Sequence, residues 1–189
     1  MDIDMDFGNR DKLLELIEYT PASIKKGSDY TKHPSGAYLQ KMPKDPFTKL
    51  AVLDYKTAEK VGFFKFDFLN VHVYQNVKSE EHLIELMNRE PMWDLLKDKE
   101  FVDMVIHING HHDILSAMPE PVNSIDKMAM FLALIRPAKR HLVGKSWDEV
   151  ALSVWSKSDD GSYGFKHSHA ISYSHLVVVH MNLIVEGII

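Results

Sequence analysis

Met1-Asp2-Ile3-Asp4-Met5-Asp6-Phe7 opens the chain, and its reading decides the fold. Acids at positions 2, 4 and 6 alternate with Ile3, Met5 and Phe7, which is the two-residue period of a β-strand. Residues two apart on a strand point the same way. The three carboxylates therefore form one row, with neighbours roughly 6.7 Å apart. At an effective dielectric of about 20, each neighbouring pair repels by about 2.5 kcal/mol. Water or a bridging cation has to screen such a row. An exposed chain end with incidental acids satisfies the same pattern.

A second acid gives the row a context. Phe63-Phe64-Lys65-Phe66-Asp67-Phe68-Leu69 is apolar enough for a central strand, yet it carries Lys65 and Asp67 on one face. A buried lone carboxylate is costly without a partner or a metal. Two carboxylates on one strand and a third on its neighbour suit a two-metal phosphoryl-transfer site. Mg²⁺ (or Mn²⁺) takes oxygen ligands of this kind. The alternative is a plain Lys65–Asp67 surface pair.

The remaining pattern predicts an α+β chain in two regions. Residues 1–76 read as mixed α/β. Asn9 is placed to cap a helix over 11–19, and 20–35 reads as polar loop. Short strands are expected at 37–42 and 49–55, with a helical turn at 57–61. Residues 77–189 read as helical, with helices opening at 79, 91, 124, 146 and 167 and a loop at 158–162.

Composition narrows the functions. The chain has 189 residues, 45% hydrophobic, with a formal charge of -5 and a pI near 6.1. That acidic balance argues against strong phosphate-backbone affinity. No cysteine is present, so disulfides, thiolate metal sites and cysteine nucleophiles are excluded. No signal peptide opens the chain, and the apolar stretch 176–189 is too short and polar to span a bilayer. A cytoplasmic, membrane-independent protein is expected. Among eleven histidines, His107, His111 and His112 with Asp113 are the densest set, and a Zn²⁺ site is one reading of them. His175 and His180 read as packing residues.

The acidic residues also carry a family resemblance. Asp2-Ile3-Asp4-Met5-Asp6-Phe7 resembles the Pro-Asp-x-Asp-x-Asp-Phe strand of the bacterial DNA polymerase III alpha subunit, the C-family of replicative DNA polymerases. Arg10-Asp11 and the helix after it also match. His33-Pro34-Ser35-Gly36 resembles that family's His-x-Gly-Gly. Lys65-Phe66-Asp67-Phe68-Leu69-Asn70 resembles Lys-Phe-Asp-Phe-Leu-Gly. Ala133-Leu134-Ile135-Arg136-Pro137 resembles Ala-Leu-x-Arg-Pro-Gly-Pro. The stretch 163–173, with Lys166, His167 and His169, is similar to Gly-Tyr-x-Phe-Asn-Lys-Ser-His-Ala-x-x-Tyr.

The resemblance implies a polymerase-beta-like nucleotidyltransferase palm followed by helical fingers. It implies catalytic, metal-binding Asp4, Asp6 and Asp67, with Asp2 in support. It places Lys65, Arg136, Lys166, His169 and His33 toward DNA or nucleotide phosphates. Read as a whole chain, the sequence lacks the family's triphosphate-binding segment, its PHP domain and the region after the fingers, so a truncated palm-and-fingers core is expected. Two functions follow. One is Mg²⁺-dependent nucleotidyl transfer on a DNA primer-template and a dNTP, completed by a second polymerase chain. The other is a non-catalytic module that keeps the fold and binds nucleic acid or a replication protein.

Overall fold

The computed structural model describes residues 2–156 and 165–189, so the loop expected at 158–162 lies outside the described residues, as do Tyr163 and Gly164. The chain is α+β and divides into two compact units, Met1–Val77 and Lys78–Ile189.

The first unit begins with β1 (Asp2–Phe7). Asn9 then caps α1 (Arg10–Leu14), its side chain accepting the Lys12 N–H at 3.2 Å. The helix stops well short of residue 19. None of its residues is buried and Leu16 is 82% exposed, so no packed face carries the helix further. The stretch expected as loop is instead a hairpin, β2 (Thr20–Lys26) and β3 (Asp29–Tyr38). It turns at Gly27, whose φ of +63° suits glycine. Its outer half is polar on both faces, so strand alternation is absent there. Residues 49–55 form no strand; they make only the isolated bridges Lys44–Ala51 and Ser23–Asp54.

Asp54 caps α2 (Tyr55–Lys60), and β4 (Lys65–Asn70) follows. The sheet order is β1-β4-β3-β2. The apolar β4 is central, parallel to β1 and antiparallel to β3. Phe7, Phe66 and Phe68 pack with tilted rings on one face, the Phe7 and Phe68 centroids 5.7 Å apart. A small cluster of Ala22, Tyr38, Met42, Ala51 and Ala58 forms a separate core.

The second unit is helical: α3 (Glu80–Asn88), α4 (Lys99–Met104), α5 (His112–Ser116), α6 (Ile125–Leu134), α7 (Trp147–Ser153) and α8 (His167–Val185), with 3-10 turns at Trp93–Lys97 and Pro137–Leu142. Its core holds Val102, Ile108, Met128, Phe131, Leu132, Val177 and Met181, all fully buried. Buried polar groups close the helix ends. Asn182 of α8 donates to the Leu86 and Arg89 carbonyls at 2.9 and 3.0 Å, at the end of α3. Lys139 donates to the Ser153 carbonyl at 2.8 Å, at the end of α7. Among the described residues, no helix is long and apolar enough to cross a membrane.

Candidate active site

Strand register assembles the acids. Asp4 of β1 stands opposite Asp67 of β4, and Asp67 stands opposite Gly36 of β3. Register partners project to the same face, so Asp4 and Asp6 share a face with Lys65 and Asp67. Asp4 and Asp6 are exposed. Lys65 and Asp67 are buried, at 5% and 8% exposure. The Asp2 backbone pairs with Lys65; its side chain lies outside the described atoms.

The buried carboxylate is fully answered. Lys65 Nζ donates to Asp67 Oδ2 in an ion pair, and Ser35 Oγ donates to Oδ1 at 2.7 Å. A cation on one oxygen and a hydroxyl on the other offset the loss of hydration. His33 Nδ1 lies 3.6 Å from Asp67 Oδ1. That nitrogen already accepts the Gly36 N–H at 2.9 Å and the Ser35 N–H at 3.4 Å. A nitrogen that accepts these two backbone N–H groups is held in place beside the carboxylate. His33 braces the irregular stretch of β3, where the register with β2 shifts, that aims Ser35 at Asp67.

Three further residues complete the neighbourhood. Tyr55 packs edge-on against His33 with centroids 5.3 Å apart, and its ring lies 5.8 Å from Lys65 Nζ. Arg10 donates to the Pro34 carbonyl at 2.7 Å and the Phe68 carbonyl at 3.2 Å, tying β3 to β4 beside Asp67. Burial first, then the Asp6 carboxylate, push the Tyr74 phenol above its ordinary pKa. Sequence reasoning passed over Ser35 and Tyr55. Ser35 stood inside a quoted motif, at a position where the resembled pattern has glycine. Tyr55 carried no signal, because only the tertiary fold brings it over Lys65.

The other predicted residues belong to the second unit. Arg136 precedes the 3-10 turn Pro137–Leu142, and its guanidinium lies 4.6 Å from the centre of the Phe165 ring. Phe165 stacks on Tyr173 at 5.8 Å, and His169 on Tyr173 at 6.4 Å. Arg136 and His169 thus flank one aromatic stack. Lys166 is exposed at the start of α8.

The histidine set does not converge. His107 packs on Tyr173, centroids 4.6 Å apart, and takes a left-handed φ of +67°. His112 Nε2 lies 3.0 Å from the Lys97 carbonyl. Burial, aided by Arg140 and Arg136, lowers the His111 pKa.

The oxygen donors at Asp4, Asp6 and Asp67 are of the kind that suits a hard divalent cation. In the arrangement seen, Lys65 and Ser35 engage both oxygens of Asp67. Among the described residues, no three histidine, aspartate or glutamate side chains are grouped to hold a metal ion. Comparison with protein-family models, curated proteins and solved structures gave no match, so the functional reading rests on these residues.

Proposed function

We propose that the first unit is a polymerase-beta-like nucleotidyltransferase palm of the C-family DNA polymerase type, with the second unit as its fingers. The observation that carries this reading is the register of Asp4 against Asp67 on adjacent parallel strands, with Asp6 one step along the same face. Such a reaction needs carboxylates presented together toward one solvent-accessible surface, and β1 does this for Asp4 and Asp6. Mg²⁺ (or Mn²⁺) is the cofactor the reading requires; bound, it would supply charge neutralisation for the transferring phosphoryl group. Asp4, Asp6 and Asp67 would hold it, with Asp2 in support. Ser35 and His33 fix the Asp67 carboxylate in orientation. Arg136, Lys166 and His169 are the cationic and imidazole groups that the reading directs toward a nucleotide's phosphates. A DNA primer-template and a dNTP are the substrates, with a second polymerase chain or replication protein as partner.

Template-directed primer extension by the full chain, with and without an added polymerase chain supplying a triphosphate-binding segment, tests this. Extension should require Mg²⁺ or Mn²⁺ and fall by roughly 100-fold or more in Asp4→Asn and in Asp6→Asn.

A second reading has its own support: the Lys65–Asp67 pair already neutralises the buried acid without a metal. The chain would then be a non-catalytic binding module. Wild type that extends no primer under either condition, keeps the same melting temperature in Mg²⁺, and still binds a primer-template would establish it.

A further inference from the structure

We propose that Arg136 and Arg140, with His107 and His111, form a binding site for a tetrahedral oxyanion of the phosphate type. The site lies wholly in the second unit. It deepens the phosphate-facing part given to Arg136 above, and it needs none of the acids on β1 and β4. It also employs two histidines that lie outside every motif of the family resemblance.

Arg136 is half-buried, yet among the described residues its guanidinium makes no ion pair and no hydrogen bond. It rests only on the Phe165 ring, at 4.6 Å. A cation partly withdrawn from water ordinarily has an acceptor. Here Nε is enclosed and unpaired, and the two Nη groups stay open to a ligand. His107 borders the same aromatic pair. Phe165 stacks on Tyr173 at 5.8 Å, and His107 packs on Tyr173 at 4.6 Å, with His169 on that ring at 6.4 Å. His107 Nε2 is also enclosed and unpaired. The chain delivers this ring at a left-handed φ of +67°, a strained conformation for a residue with a Cβ. Just before it, the Ile106 N–H is held by His180 Nδ1 at 2.9 Å. Arg140 lies in the 3-10 turn that follows Arg136. Its Nε donates to the Ile135 carbonyl at 3.2 Å, which leaves its Nη groups to a ligand. The electrostatics agree with the geometry. Burial first, then Arg136 and His180, lower the His107 pKa; burial first, then Arg140 and Arg136, lower that of His111. No carboxylate offsets either effect. An oxyanion seated among these groups would relieve their mutual repulsion and accept the forked donors of arginine. Two guanidinium and two imidazole groups offer more donors than the two oxygens of a carboxylate can use. A phosphate, with three or more acceptor oxygens and up to two charges, matches them.

The test uses the full chain in a metal chelator, so that the acids of the first unit play no part. Histidine ring protons are titrated by NMR with inorganic phosphate, with dATP, and with chloride at matched ionic strength. Exposed His72 of the first unit is the reference. Phosphate should raise the titration midpoints of His107 and His111 and leave His72 unmoved. The rise should correspond to binding about tenfold tighter when the ring is protonated. Arg136→Gln and Arg140→Gln should each weaken phosphate binding by about tenfold or more, and Arg136→Lys, which keeps the charge but loses the fork, by less. Circular dichroism checks folding; Arg140 is exposed, so its variant carries the test if Arg136→Gln does not fold. A stronger response to dATP assigns the oxyanion to a nucleotide, and an equal response assigns it to free phosphate; either supports the site. If neither compound moves His107 and His111 more than His72, or if Arg140→Gln responds as wild type does, the proposal is overturned. That failure is separate from the carboxylate reading, which primer extension by Asp4→Asn and Asp6→Asn decides.

Discussion

Asp67 shows how one residue can sit in a central strand without an apolar side chain. Its two oxygens are divided between Lys65 and Ser35. Removing the lysine charge without replacing its hydrogen bond, as in Lys65→Met, leaves a buried carboxylate half-answered; the expected loss is about 3–5 kcal/mol in urea unfolding. Gly36→Ala attacks the same spot sterically. The new Cβ would meet Lys65 Cδ at 2.8 Å, His33 Nδ1 at 2.9 Å and Ala22 Cβ at 3.0 Å. Overpacking of this kind costs about 1–3 kcal/mol, readable as a lower denaturation midpoint. Tyr74 reports on the acidic face from the other side. Its phenol pKa is raised by burial and by Asp6, so ultraviolet titration of Asp6→Asn should move the Tyr74 transition to lower pH. With the folded pKa above the unfolded one, the stability Tyr74 contributes is complete below about pH 10 and is lost as pH rises through its folded value. The shared face of Lys65 and Asp67 was legible from their spacing of two. The burial of Asp67 was legible from the apolar strand around it; the Ser35 hydroxyl and the Tyr55 ring beside the pair were not, because they are distant in sequence.

Elements with a strong period were read easily, and elements defined by pairing were not. β1 and α8 announce themselves through alternation and a long apolar stretch. The hairpin of β2 and β3 does not, since residues 25–32 are exposed on both faces and backbone pairing alone makes them strands. α1 was over-read because Leu13, Leu14 and Leu16 suggest an inward face that the fold never buries. One further element carries a pH dependence. His180 of α8 accepts the Ile106 N–H on Nδ1 at 2.9 Å, just before the left-handed His107. Burial lowers the pKa of both His107 and His180, with Arg136 and His180 adding to the effect on His107. A depressed histidine contributes stability that is present above about pH 6.5 and lost as pH falls through its folded pKa. Thermal melts should therefore fall on the acid side, and His180→Asn, which keeps an acceptor but cannot titrate, should flatten that fall. By contrast, Phe47 sits 91% exposed in a turn held by Asp45. Phe47→Ser should change stability by no more than about 0.5 kcal/mol.

The whole chain carries unequal cores. The second unit buries Phe131, Leu132, Leu134 and Met181 completely. In the first unit, one buried cluster is three alanines out of five residues, Ala22, Ala51 and Ala58 beside Tyr38 and Met42. Apolar area removed from water sets the stabilisation, so amide hydrogen exchange on the full chain should be slowest in α6 and α8 and fastest in β1, where Ile3 and Met5 are 38% and 37% exposed. The helical character of the second region was legible from composition and capping residues such as Ser79, Ser124 and Ser146. The alanine-rich cluster of the first unit was not, since small residues give no periodic signal. β1 is also an outer strand of its sheet, and outer strands present backbone that can recruit another molecule's strand. Like-charged aspartates along it oppose that self-association. Asparagine variants at 4 and 6 should therefore show a rise in light scattering at high protein concentration.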